Sequence, residues 1–272
     1  MKKKTTSKNL FPYFAVGKSL YLFIFAPMQT FNLHKIIAML LLLTVAATGM
    51  AQEKMGGYKP IEQWEPGIRV SQDDVKRLGM NFFFRAEPIP DHVFQRMQGK
   101  SYPKDCPIPR KNLRYLRLMH VREDGQAWTG EMVCNKSIAK DLVDIFRELY
   151  QQRYPIERML LIDDFNANDE QSMSNNNSSC FCYRTIANKK KLSKHAQGLA
   201  VDINTLYNPY YIDRSNGTRF IQPATGAPYC DRTKSFPYKI DKGDLCYRLF
   251  ISHGFRWGGE WHSCKDFQHF EK

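Results

Sequence analysis

The order of elements predicts a single α+β domain, built from a small antiparallel sheet with flanking helices. Three observations predict it. Two partly alternating apolar segments, Leu113 to Val121 and Ala127 to Cys134, are separated by the turn-forming run Glu123-Asp124-Gly125. Apolar residues at helical spacing follow at once. Short apolar strands then return in the C-terminal half with no internal repeat, and 272 residues give one sizeable core rather than two full domains.

Taken in order, residues 53–75 are rich in Gly, Pro and charge and read as an extended lead-in. Residues 76–110 carry scattered apolar side chains, then a loop punctuated by Pro103, Pro107 and Pro109, which fits a short helix plus loops wrapping the core. The hairpin comes next. Ile138, Leu142, Ile145, Phe146 and Leu149 give an amphipathic helix over about 136–152. Arg158 to Ile162 reads as a short strand, 166–179 as a polar loop dominated by Asn, Asp and Ser, and Cys180 to Ile186 as another strand. A basic loop (Lys189, Lys190, Lys191), a strand from Leu199 to Ile203 and a long loop over 206–238 follow. The chain closes with a helix from Gly243 to His253 and an aromatic segment.

The formal net charge of +13 invites a nucleic-acid reading, so its location matters. Residues 1–51 hold six lysines and no Asp or Glu, which leaves +7 on the remainder and no nucleic-acid motif to support it. From Met28 the sequence reads as a secretory signal. Lys35 precedes the apolar run Ile36 to Val45, and Gly49 and Ala51 stand at the small-residue positions before a cleavage site. That run is short for a bilayer span, so the expectation is an exported protein, periplasmic or secreted, with no membrane anchor left after cleavage and with Met28 as the working start. All seven cysteines lie beyond the cleavage point, where up to three disulfides are possible. In Cys180-Phe181-Cys182 the two thiols of a strand would face opposite sides, which disfavours a shared zinc site.

Two segments carry chemistry: Ser193-Lys194-His195-Ala196-Gln197-Gly198-Leu199-Ala200-Val201-Asp202, and Gly254-Phe255-Arg256-Trp257-Gly258-Gly259-Glu260-Trp261 continuing to Asp266-Phe267-Gln268-His269-Phe270-Glu271. Asp202 interrupts an apolar strand, a costly place for a carboxylate unless it is paired or bound to a metal. His269 lies between aromatic neighbours. Two imidazoles and one carboxylate make a catalytic zinc set with the fourth position open, and Asp266 stands three residues from His269 as a general base. Spacing alone leaves the alternative open, that these are hydrogen-bonded core residues and turn caps.

These motifs, S-x-H-x-x-G-x-A-x-D, G-F-x-W-G-G-x-W and D-x-x-H-F-E, resemble the zinc D-alanyl-D-alanine carboxypeptidases of the M15 peptidases. That family holds VanY-like enzymes and the related L-alanyl-D-glutamate endopeptidases. The resemblance runs from about residue 80 to the C-terminus and is densest over 158–271. It implies the hedgehog-like zinc DD-peptidase fold, one Zn2+ per chain held by His195, Asp202 and His269, and Asp266 as general base. Many relatives carry Glu at that position, so Asp points toward the endopeptidase-like branch, with Glu271 as the other candidate base. Arg184 matches the family arginine that faces the substrate carbonyl. Ser193 reads as a residue supporting His195, and Trp257, Gly258, Gly259 and Trp261 as pocket wall or core. The division implied is a leader over 1–51, a lead-in and wrapping segment over 52–110 and a zinc peptidase domain over 111–272. The function implied is hydrolysis of amide bonds in peptidoglycan stem peptides. A non-catalytic zinc-containing cell-wall binding module is the alternative.

Overall fold

Ser71 starts the first helix by a reciprocal capping box. Its hydroxyl accepts the Asp74 amide while the Asp74 carboxylate accepts the Ser71 amide. In this computed structural model, which describes residues 60–184 and 192–272, strand β1 (Arg69–Val70) leads into helix α1 (Gln72–Leu78). Helix α2 (Met80–Phe83), strand β2 (Arg85–Glu87) and helix α3 (Asp91–Met97) follow. The wrapping segment is therefore more regular than a short helix plus loops. The expected leader with its signal sequence, the end of the expected strand from Cys180 to Ile186 and the basic loop at Lys189, Lys190 and Lys191 lie outside the described residues.

The expected hairpin is the frame of the fold. Strands β3 (Leu113–Val121) and β4 (Ala127–Asn135) pair antiparallel in unbroken register from Leu113 opposite Asn135 to Val121 opposite Ala127. Gly125, at φ +76°, donates its amide to the Arg122 carbonyl and closes the turn. Strands β1 and β2 flank the pair, giving the order β1-β4-β3-β2. Helix α4 (Ala139–Gln151) buries Leu142, Ile145, Phe146 and Leu149 against one face, in a core shared with Leu116 and Leu118. Val93 and Met97 of α3 cover the other face over Leu113, Tyr115 and Val133. Burial on both faces is why the alternation in sequence was only partial.

Several connections differ from expectation. Residues 158–161 are extended but make one isolated bridge, Arg158 to Asn177, before a 3-10 turn at Ile162–Phe165. Asp163, buried, draws the chain out of line by accepting both the Ser101 amide and hydroxyl, at 3.0 and 2.9 Å. The polar loop holds helix α5 (Asp169–Ser174), capped by Asn168, whose side chain accepts the Gln171 amide at 2.9 Å. Its asparagines staple backbone: Asn177 bonds both the amide and the carbonyl of Leu160. Residues 180–184 are extended without a ladder, because successive amides of Phe181, Cys182 and Tyr183 reach Val133, His195 and Ser101 in turn.

Strand β5 (Ala200–Asp202) is followed by a second hairpin, β6 (Tyr210–Asp213) and β7 (Arg219–Gln222), where a loop was expected. Asn208 anchors its base, donating to the carbonyls of Asn204 and Tyr238 and accepting the Ile240 amide. Helix α6 (Leu245–Ser252) is capped by Asp244. The aromatic tail forms three short strands, β8 (Arg256–Trp257), β9 (Lys265–Asp266) and β10 (His269–Glu271). They complete two small sheets, β5-β10-β8 and β7-β6-β9, all antiparallel. The whole is a mixture of helices and antiparallel sheets, as an α+β class requires.

The seven cysteines are free thiols, not the disulfides the sequence allowed. Cys134, Cys180 and Cys246 pack as small apolar groups in the main core, and burial pushes their thiols up. The C-x-C pair splits as expected: Cys180 faces that core, and Cys182 faces Asp169 and Arg184.

Candidate active site

The antiparallel register of β5 and β10 sets His269 directly opposite Asp202. His195 enters from a separate element, the 3-10 turn His195–Gln197. Gly198 ends that turn at φ +67° and gives its carbonyl to the Asn135 amide at the end of β4. A side chain at Gly198 would begin 2.6 Å from the Asn135 nitrogen, so only glycine lets the turn dock on the hairpin frame.

The three side chains converge. His195 Nε2 lies 3.1 Å from Asp202 Oδ2 and 3.2 Å from His269 Nδ1, and His269 Nδ1 lies 3.0 Å from Asp202 Oδ1. Each ring is oriented by its other nitrogen. His195 Nδ1 donates to the Cys180 carbonyl at 2.6 Å, and His269 Nε2 faces Glu271 Oε2 at 3.3 Å. With their outer nitrogens engaged, both inward nitrogens point at each other and at Asp202, an arrangement that a shared proton or a bound cation satisfies. The electrostatics favour positive charge at this point. Burial opposes charge on His269, but its hydrogen bonds to Asp202 and Glu271 prevail and push it up to about 10. Burial likewise opposes the Asp202 carboxylate, yet His195 and then His269 hold it well below the usual range. One ligand atom from each of the three residues lies within 4.8 Å of the others, so the cluster can hold a metal ion. Two imidazoles, each backed by a hydrogen-bonding partner on its outer nitrogen, and a carboxylate fit zinc chemistry.

Asp266 stands beside this cluster on β9. Burial pushes its carboxyl up to about 6, and its Oδ1 is buried with no hydrogen-bond partner. A buried carboxylate oxygen left unpaired in a polar cleft is a site for water or substrate. Gly258 is required here, because a Cβ would sit 2.6 Å from the Asp266 carbonyl oxygen and 3.3 Å from the His269 Cβ. Glu271 is differently placed. Its two oxygens face His269 Nε2 and Arg256, the latter at 2.6 Å, so it grips the outer side of the imidazole. Ser193 accepts the His195 amide at 3.1 Å and supports the turn, as expected.

Arg184 lines the same cleft, with its Nε 2.7 Å from Asp169 Oδ2. Burial opposes its charge, but Asp169 foremost among nearby groups outweighs that and keeps the guanidinium cationic. Asp169 is the residue that reading the sequence missed. Asn168 followed three positions later by Gln171 is a helix-start signature that would have placed it on a helix N-terminus. The tryptophans divide: Trp257 is core, donating to the Phe267 carbonyl at 2.9 Å, while the Trp261 ring lies 5.2 Å from that of His269 and walls the cleft. The cleft has a volume of about 840 Å³, and the β6–β7 hairpin forms one side of it. Among the described residues no helix is long and apolar enough to cross a membrane.

Residues 187–272 match the M15 peptidase family model described as D-alanyl-D-alanine carboxypeptidase. The match spans about a third of the chain, less than the resemblance from residue 80 onward implied. It includes His195, Asp202, Asp266 and His269 and stops short of Arg184 and Asp169. Comparison with curated proteins and with solved structures gives no match.

Proposed function

We propose that the protein is an exported zinc-dependent peptidase that hydrolyses an amide bond in peptidoglycan stem peptides, on a fold of the hedgehog-like zinc DD-peptidase type. The observation that carries this reading is the convergence of His195, Asp202 and His269 beside a buried carboxylate, Asp266, with an unpaired oxygen. The family match over the same residues supports it.

His195, Asp202 and His269 would hold the zinc ion, which when bound would supply a Lewis acid able to acidify water and polarise a carbonyl. Asp266 accepts the proton that water loses as its oxygen adds to the amide carbon. It then returns that proton to the leaving nitrogen as the C–N bond breaks, giving a carboxylic acid and an amine. Arg184, cationic and pinned by Asp169, stabilises the negative charge that develops on the carbonyl oxygen. Glu271, held by Arg256, keeps the outer nitrogen of His269 protonated and its inner nitrogen free to ligate.

Muropeptide digestion followed by mass spectrometry tests the reading. Cleavage is lost on chelation, restored by zinc and lowered by about a thousandfold or more in Asp266→Asn, and the fragment masses identify the bond, D-Ala-D-Ala or L-Ala-D-Glu. The alternative, a wall-binding module that keeps zinc for structure, requires zinc and muropeptide binding with no turnover. The unpaired Asp266 oxygen favours the enzyme.

A further inference from the structure

The β6–β7 hairpin is locked to the candidate base by register, because Tyr210 pairs with Asp266 and Tyr211 with Lys265. Beyond that pair β6 runs on past the end of β9, with β7 as its remaining partner. Side chains alternate along it. Tyr210, Ile212 and Arg214 line the cleft, together with Phe220 and Gln222 from the facing strand. Tyr211 turns the other way, covered by Phe267 and by the Arg219 guanidinium.

The outer end of this face has two unusual features. Phe220, 39% exposed, is the large hydrophobic side chain that the described residues leave in solvent. Arg214 lies over its ring, 5.1 Å from the centroid, and no carboxylate among the described residues pairs with it. Its neighbour Arg219, by contrast, is neutralised by Asp213 at 2.6 Å. From Tyr210 to Arg214 is four residues, about 13 Å at the rise of an extended strand.

We infer that this hairpin face is a specificity wall for an extended acidic peptide. Phe220 packs on the apolar part of the substrate, and Arg214 binds a carboxylate about four residues, or about 13 Å, from the bond that is cut. The inference rests on the peptidase reading for turnover but not for binding. Arg214 stands four residues along the strand from Tyr210, the partner of Asp266, so its effect falls on recognition and not on the chemical step.

The test uses the full chain loaded with zinc and two fluorescein-labelled synthetic stem-type peptides. They differ at one side chain about four residues from the cleaved bond, Glu in one and Gln in the other. Wild type prefers the Glu peptide by about tenfold in KM at equal kcat, and Arg214→Gln abolishes the preference. Phe220→Ala raises KM for both peptides. Anisotropy titration of the same peptides on Asp266→Asn reads recognition without turnover, and zinc affinity stays unchanged in both hairpin variants. If neither peptide is cleaved but Arg214→Gln still removes a Glu-selective binding preference, the wall stands and the peptidase reading falls. Equal affinity of wild type and Arg214→Gln for the Glu peptide overturns the wall.

Discussion

The hairpin frame and the cleft treat a buried carboxylate in opposite ways. Glu131, on β4, is fully buried, and both its oxygens are occupied. Arg96 reaches them at 2.6 and 3.1 Å, and the Tyr115 hydroxyl donates at 2.8 Å while itself accepting from Trp64 Nε1. Asp266, on β9, keeps one buried oxygen unpaired and a raised pKa. A satisfied network fastens α3 and the lead-in to the sheet. An unsatisfied group held in place by its surroundings stores reactivity instead, because its missing partner is supplied by whatever enters the cleft.

The largest expected effect sets the two carboxylates directly against each other. Glu131→Ala leaves Arg96 without its buried partner and lowers unfolding stability by about 3 kcal/mol in urea denaturation. Asp266→Asn leaves that stability unchanged or higher while activity collapses. A large stability loss in Asp266→Asn would erase the contrast.

The frame carries a second buried titratable group, and its response to acid is the next largest effect. Burial lowers His120 to about 4 from 6.5, although its Nδ1 lies 2.6 Å from the Ile156 carbonyl. The unfolded imidazole takes up a proton once the pH falls below about 6.5, and the native one only near pH 4. Stability is therefore full above pH 6.5 and declines by up to about 3 kcal/mol as the pH drops to 4. Urea midpoints of wild type and His120→Gln measured across that range should converge, because the variant lacks this titration.

The smallest expected effect is on the cleft side. Asp169→Asn frees the Arg184 guanidinium and lowers kcat by about tenfold with KM nearly unchanged, and Asp169→Glu recovers part of the loss. In an Arg184→Ala background the same change has no further effect. Equal losses from Asp169→Asn in both backgrounds would show that the pair does not act as a unit.

Particular residues show how much the sequence could tell. Asp202 and His269 were legible because each breaks an apolar or aromatic run, where a polar side chain needs a partner. The β3–β4 hairpin and α4 were legible because periodicity is local, and Asp124-Gly125 marks the turn between the strands. Helix α5 was hidden in a run of Asn and Ser whose side chains bond distant backbone, Asn177 to Leu160 among them. With it Asp169 was lost to view. The second hairpin was masked by Pro, Gly and Tyr, since its anchor, Asn208, works through residues as far away as Tyr238 and Ile240.

The sequence by itself pointed to the α+β class, the main hairpin and helix, and His195, Asp202 and His269 as the candidate cluster. Only the tertiary structure sets Asp266 and Glu271 apart, by leaving an oxygen of one unpaired and tying the other to Arg256 and the outer face of His269. It alone joined Arg184 to Asp169 and raised the Arg214 wall beside the cleft. The physical reason is range. Periodicity and turn chemistry act over a few neighbouring residues, whereas the pairing of buried charge depends on which distant strands meet and in which register.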